Sequence, residues 1–140
     1  MRIAVVDGQG GGIGRAIVER LREKLGAGAE IIALGTNPLA TSLMLKAGAN
    51  EGASGENPIV VNAPKVDVIM GSIGIIAADA MLGEVTPAMA EAIAKSGAQK
   101  VLIPLNRCGI IVAGTVSEPL PFYINAAVDA VKTMAESKGC

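Results

Sequence analysis

The chain has 140 residues, half of them hydrophobic, with a formal net charge of −1, no histidine, two cysteines and only two aromatic side chains. With no basic run and almost no aromatic surface, the footprint of a nucleic-acid binder is missing; without histidine, serine–histidine catalysis is excluded, as is a thiolate–imidazole metal centre built on Cys108 and Cys140. The length suits a single domain over residues 1–140, and no apolar run reaches the ~18 residues of a spanning helix, so a cytoplasmic protein with no membrane partner is expected.

The chain opens on Ile3-Ala4-Val5-Val6, which has the length of a buried parallel strand. It stops at Asp7 and a turn with five glycines among Gly8–Gly14, then restarts with Ile13, Ala16, Ile17 and Leu21 at helical spacing. Strand, phosphate loop and a helix from about Gly12 to Leu25 are expected, with Arg15 and Glu19 paired on its solvated face. Glycines bring backbone amides close to a diphosphate, and the positive end of the helix dipole stabilises its charge. Asp7, Gly8, Gln9, Gly10, Gly11, Gly12, Ile13 and Gly14 are therefore the first candidate contacts for a nucleotide. The alternative is a turn that binds nothing, or binds an oxyanion other than a dinucleotide.

Ile31-Ile32-Ala33-Leu34 is the second strand, and a right-handed crossover places it parallel to the first. Gly35-Thr36-Asn37 follows, where a dinucleotide fold selects its adenosine ribose; it offers neither a carboxylate for the hydroxyls nor an arginine for a 2′-phosphate. Asn37 and Pro38 also read as the N-cap and first residue of a helix to about Lys46, closed by Gly48. From 47 to 64 the sequence is irregular. Ile59-Val60-Val61 is a short third strand or one helical turn, and Ser54, Glu56 and Asn57 are ligand contacts or a solvated loop.

Val66–Met70 is a clear strand running into Gly71-Ser72-Ile73-Gly74. In a sheet ordered 3-2-1-4 it neighbours the first strand, so two glycine turns flank the switch point and Gly71 and Ser72 become further ligand candidates. Ile73–Leu82 is expected as a helix apolar all round, hence covered by a second copy of the chain or by other helices, with Asp79 a functional or simply solvated acid. Thr86-Pro87 opens a helix to about Ser96, Lys100–Leu105 is a fifth strand, and Arg107 beyond it is a phosphate ligand or a surface cation. Ile110–Ala113 is a sixth strand paired antiparallel, or an arm, before a last helix from about Phe122 to Ala135.

Asp7-Gly8-x-x-x-Gly12-Ile13-Gly14 resembles the T-G-x-x-x-G-I-G turn of the short-chain dehydrogenases, with Asp7 in the place of threonine. Those enzymes also carry Tyr-x-x-x-Lys, whereas Tyr123 is followed four residues on by Ala127, so the resemblance does not extend to their proton transfer. Over nearly its whole length the chain is similar to a family of short bacterial proteins known as a domain of unknown function, through Asp-Gly-Gln-Gly-Gly-Gly-Ile-Gly, Ala-Leu-Gly-Thr-Asn and Ile-Pro-Leu-Asn. The combined expectation is an α/β, three-layer, Rossmann-like doubly wound domain with a mainly parallel sheet of five or six strands. It would bind NAD, NADP or a related dinucleotide as a sensor or part of an enzyme, and associate as a homodimer. An enzyme acting on a small phosphorylated substrate and an interaction domain with empty turns are the alternatives.

Overall fold

The computed structural model describes residues 1–105 and 109–138. Five parallel strands, β1 (Arg2–Asp7), β2 (Glu30–Gly35), β3 (Glu51–Ser54), β4 (Val68–Ser72) and β5 (Gln99–Ile103), form one sheet in the order β3-β2-β1-β4-β5. Among the described residues five α-helices accompany them: α1 (Gly12–Leu25), α2 (Pro38–Ala47), α3 (Glu56–Asn62), α4 (Pro87–Lys95) and α5 (Leu120–Lys138). The order reverses at β1, which pairs with β2 on one side and with β4 on the other. This is the doubly wound, Rossmann-like arrangement expected, with five strands.

Alternation along the strands divides the core in two. Ile3 and Val5 of β1, Ile31 and Ala33 of β2 and Val68 and Met70 of β4 face α1, α2 and α5 through Ile17, Leu21, Met44, Val128 and Val131. Ala4, Val6, Ile32, Leu34 and Ile69 face the other way, against Ile59 of α3, Ile75, and Met89 and Ile93 of α4. Small aliphatic side chains fill both layers, so a sheet buried on both faces needs no aromatic residue.

The helix ends follow their local chemistry. Asn37 Oδ1 accepts the Ala40 amide at 2.9 Å with Pro38 in the first turn of α2, and Thr86 Oγ1 accepts the Met89 amide at 3.2 Å ahead of Pro87.

Two open alternatives are decided and one expectation is corrected. The third strand is the polar Glu51-Gly52-Ala53-Ser54, which pairs only with β2 and needs no apolar run, while Ile59-Val60-Val61 is helical within α3. Ile73–Leu82 is not a helix: one 3-10 turn (Ile73–Ile76) leads into tight turns in which Asp79, Met81 and Leu82 have positive φ, a backbone no helix can accommodate. Ile110–Ala113 forms no strand among the described residues; 109–119 runs as an irregular arm.

Candidate functional site

The two turns at the switch point enclose a cleft of about 870 Å³ at the carboxyl ends of β1 and β4. One wall is Asp7 to Ile13, the other Ser72 and Gly74. Ala77 to Leu82 closes one side, and Leu105 and Leu120 add apolar surface. Position and wall agree with the ligand crevice of open α/β sheets.

The glycines of the first turn divide by what they touch. A Cβ on Gly8 would lie 2.5 Å from Thr36 Oγ1, one on Gly11 2.8 Å from the Ala40 Cα, and one on Gly14 2.8 Å from the Asp7 Cβ, so packing demands glycine at all three. Gly11 also needs it for its φ of 75°. Gly10 and Gly12 differ: a Cβ there meets nothing within 4 Å and neither has a positive φ. Neither fold nor backbone requires glycine at these positions, yet both line the cleft.

The amides divide in the same way. Asp7, 4% exposed, accepts the Gly8 amide on Oδ1 at 2.8 Å and the Gly14 amide on Oδ2 at 2.6 Å, capping α1 from the preceding strand. Gly11 donates to the Gly8 carbonyl at 3.0 Å and Gln9 to Glu84 Oε1 at 2.8 Å. Among the described residues no partner is found for the amides of Gly10, Gly12 and Ile13, all three on the cleft wall at the α1 N-terminus. Ser72 adds a hydroxyl with no protein partner among those residues. Such an array suits an anion, because it offers donors and the helix dipole without a competing acceptor at the same amides.

Burial holds the Asp7 carboxyl above the usual aspartate range, against the lowering effect of the Gly14 and Gly8 amides, and the charge of Glu84 adds to the rise. Glu84 is held below the usual glutamate range by the Gln9 amide first, then the Thr36 hydroxyl, with a smaller contribution from Asn37.

The other candidates are placed unevenly. Gly35 is buried beneath Thr41, whose Oγ1 accepts its amide at 3.1 Å, and Gly71 is buried with its Cβ position 2.6 Å from the Val6 carbonyl; neither lines the cleft. Thr36 and Asn37 do not line it either; they bond Glu84 at 2.7 and 2.8 Å, and Asn37 also donates to the carbonyl of Gln9, which does line it, at 3.1 Å. Asp79 lines the cleft, whereas the Ser54 hydroxyl is 2.7 Å from Thr41 Oγ1. Arg107 and Cys108 lie outside the described residues. Among the described residues no cluster of His, Cys, Asp or Glu could hold a metal, and no helix is long and apolar enough to cross a membrane.

Glu84 is the residue sequence reading missed. It lies 48 positions from Thr36 and 75 from Gln9, so no local pattern links it to the turn it completes.

The family described as Domain of unknown function (DUF3842) matches residues 2–136. The chain belongs to this family. No curated protein matches this DUF3842 chain. Among solved structures it resembles AibC, at 18% identity with a TM-score of 0.51, over 98% of this chain and 39% of AibC. It also resembles mycobacterial Rv1454c in complex with NADPH, at 16% identity with a TM-score of 0.46, over 89% of this chain and 36% of that one. The DUF3842 chain thus spans well under half the length of both. The likeness is one of fold.

Proposed function

We propose that this domain binds a nucleotide, NAD or NADP being the first candidates, as a sensor or as part of an enzyme. The phosphates would rest on the free amides of Gly10, Gly12 and Ile13. The observation that carries the reading is the open space above Gly10 and Gly12, which neither packing nor φ explains and a ligand does. The rest of the cleft fits a nucleotide as well: a hydroxyl at Ser72 and apolar walls at Ile13, Leu105 and Leu120 can receive a sugar and a flat base or nicotinamide. Two copies of the chain are proposed to associate.

Gly12→Val tests the cradle. The branched side chain enters space that is empty in the protein but needed by a diphosphate, so the variant folds and loses its affinity for NAD, NADP and pyrophosphate by calorimetric titration. Unaltered affinities in a variant with native circular dichroism would show that the phosphates rest elsewhere.

A further inference from the structure

Glu84 Oε1 accepts three hydrogen bonds, from the Gln9 amide at 2.8 Å, the Thr36 hydroxyl at 2.7 Å and the Asn37 carboxamide at 2.8 Å. The three donors come from the turns after β1 and β2 and converge on one point beside the cleft. Three donors on one oxygen constitute an anion site, and the chain fills it with its own carboxylate.

The delivery is rigid. Asp79, Met81 and Leu82 adopt φ of 66°, 58° and 56° in the loop that carries Glu84, a backbone side-chain residues adopt only when their surroundings impose it. The Asp79 amide bonds the Val85 carbonyl at 2.7 Å and the Val85 amide bonds the Ala80 carbonyl at 3.1 Å, cross-bracing the loop. Met81 Sδ lies 2.8 Å from the Cβ position of Gly8, so the loop sits tightly on the glycine turn.

We infer that Glu84 determines which nucleotide the cleft accepts, by holding a carboxylate on the donors that a phosphate on the adenosine ribose would require. The inference rests on the nucleotide reading above. The end of β2 is where this fold recognises that ribose, and Gly35-Thr36-Asn37 supplies no acid there; Glu84 supplies one from the other side of β1. Its second oxygen, Oε2, has no partner among the described residues and can accept from the hydroxyls of an unphosphorylated ribose. A 2′-phosphate must instead evict the carboxylate from three hydrogen bonds or lie against a like charge. The cleft therefore favours NAD over NADP.

The test titrates the full chain and its Glu84→Ala and Glu84→Gln variants with NAD and NADP by calorimetry, with pyrophosphate on the unmodified protein reading the cradle by itself. The unmodified protein should bind NAD more tightly. Glu84→Ala frees the three donors and should raise the affinity for NADP relative to NAD by about tenfold or more. Glu84→Gln, which keeps the shape and removes the charge, should move the ratio in the same direction, and it carries the test if the alanine variant does not fold. An unchanged ratio in a folded variant, or an unmodified protein that prefers NADP, overturns the inference while leaving the cradle intact. If NAD and pyrophosphate both fail to bind the unmodified protein, the cradle falls, and this inference with it.

Discussion

Gly10 and Gly14 lie four residues apart in one turn, and their opposite surroundings predict opposite responses to a single methyl group. At Gly14 a Cβ would lie 2.7 Å from Met44 Sδ and 2.8 Å from the Asp7 Cβ; the methionine can swing away, but the aspartate is held by the two amides it caps. Alanine favours a helix over glycine by about 1 kcal/mol, and overpacking at such a contact costs about 1–3 kcal/mol, so the second effect wins. Net of the helix gain, Gly14→Ala should lower stability in urea denaturation by up to roughly 2 kcal/mol. Gly10→Ala meets nothing within 4 Å and should leave stability within about 0.5 kcal/mol while weakening ligand binding. If the two variants proved equally destabilised, the division of the turn into packing and ligand-facing glycines would be wrong. Sequence alone displays both as members of one glycine run; only the neighbours that fill or leave empty the space above them tell the roles apart.

At the level of elements, the loop from Ala77 to Val85 is anchored to the turns after β1 and β2 through Glu84, and its anchoring depends on pH. Because the folded protein depresses the Glu84 pKa, the stabilisation from this carboxylate is fully present above the ordinary glutamate range and is lost as pH falls through the depressed value. Asp7 works in the opposite sense: its pKa is raised mainly by burial, so its contribution to stability declines as pH rises from the ordinary aspartate value through the raised one. The two carboxylates are linked, since the charge of Glu84 adds to the rise at Asp7. On lowering the pH from about 7 to about 3, the Gln9 amide resonance should shift with an inflection below the ordinary glutamate pKa, and Glu84→Gln should remove that step. An inflection at the ordinary value would mean that the three hydrogen bonds do not hold the carboxylate in solution. This loop also marks where sequence reading stops. β1, β2 and β4 were legible because strands buried on both faces must be apolar throughout, β5 because Val101-Leu102-Ile103 is an apolar run even at the sheet edge, and α2 and α4 because Asn37-Pro38 and Thr86-Pro87 are helix starts by local chemistry. β3 was hidden because its residues Glu51, Gly52 and Ser54 are exposed at the sheet edge and carry no apolar run, and Ile73–Leu82 misled because apolar residues accumulate in a tight turn, part buried and part exposed, as readily as in a helix.

For the whole molecule, association turns on the apolar surface that the three layers leave outside. Within Ile73–Leu82 the fold sorts the side chains: Ile75 and Ala80 enter the core against Met89 and Ile93 of α4, while Ile76 remains 38% and Leu82 97% exposed. Intramolecular cover therefore accounts for part of the segment and leaves the rest in water. Phe122 at 54% exposure and Leu120 on the cleft wall place further apolar surface at the start of α5. A two-fold contact would bury a patch of this kind twice, since an isologous interface presents the same surface from both copies. Burial of apolar area contributes about 25 cal/mol per Å², so a contact of ordinary size can outweigh the entropy lost on association only if its centre is well packed; a bulky charge at that centre should therefore break it. Ile76→Arg is the informative change because the position is open in the single chain: the guanidinium can reach water, the monomer keeps both cores, and the melting transition of the fold remains cooperative. Light scattering at micromolar concentration should then give two chain masses for the unmodified protein and one for Ile76→Arg. An unmodified protein that scatters as a single chain rules out the dimer. A variant that remains dimeric moves the contact away from this segment, towards the start of α5, where Phe122→Asp is the corresponding test.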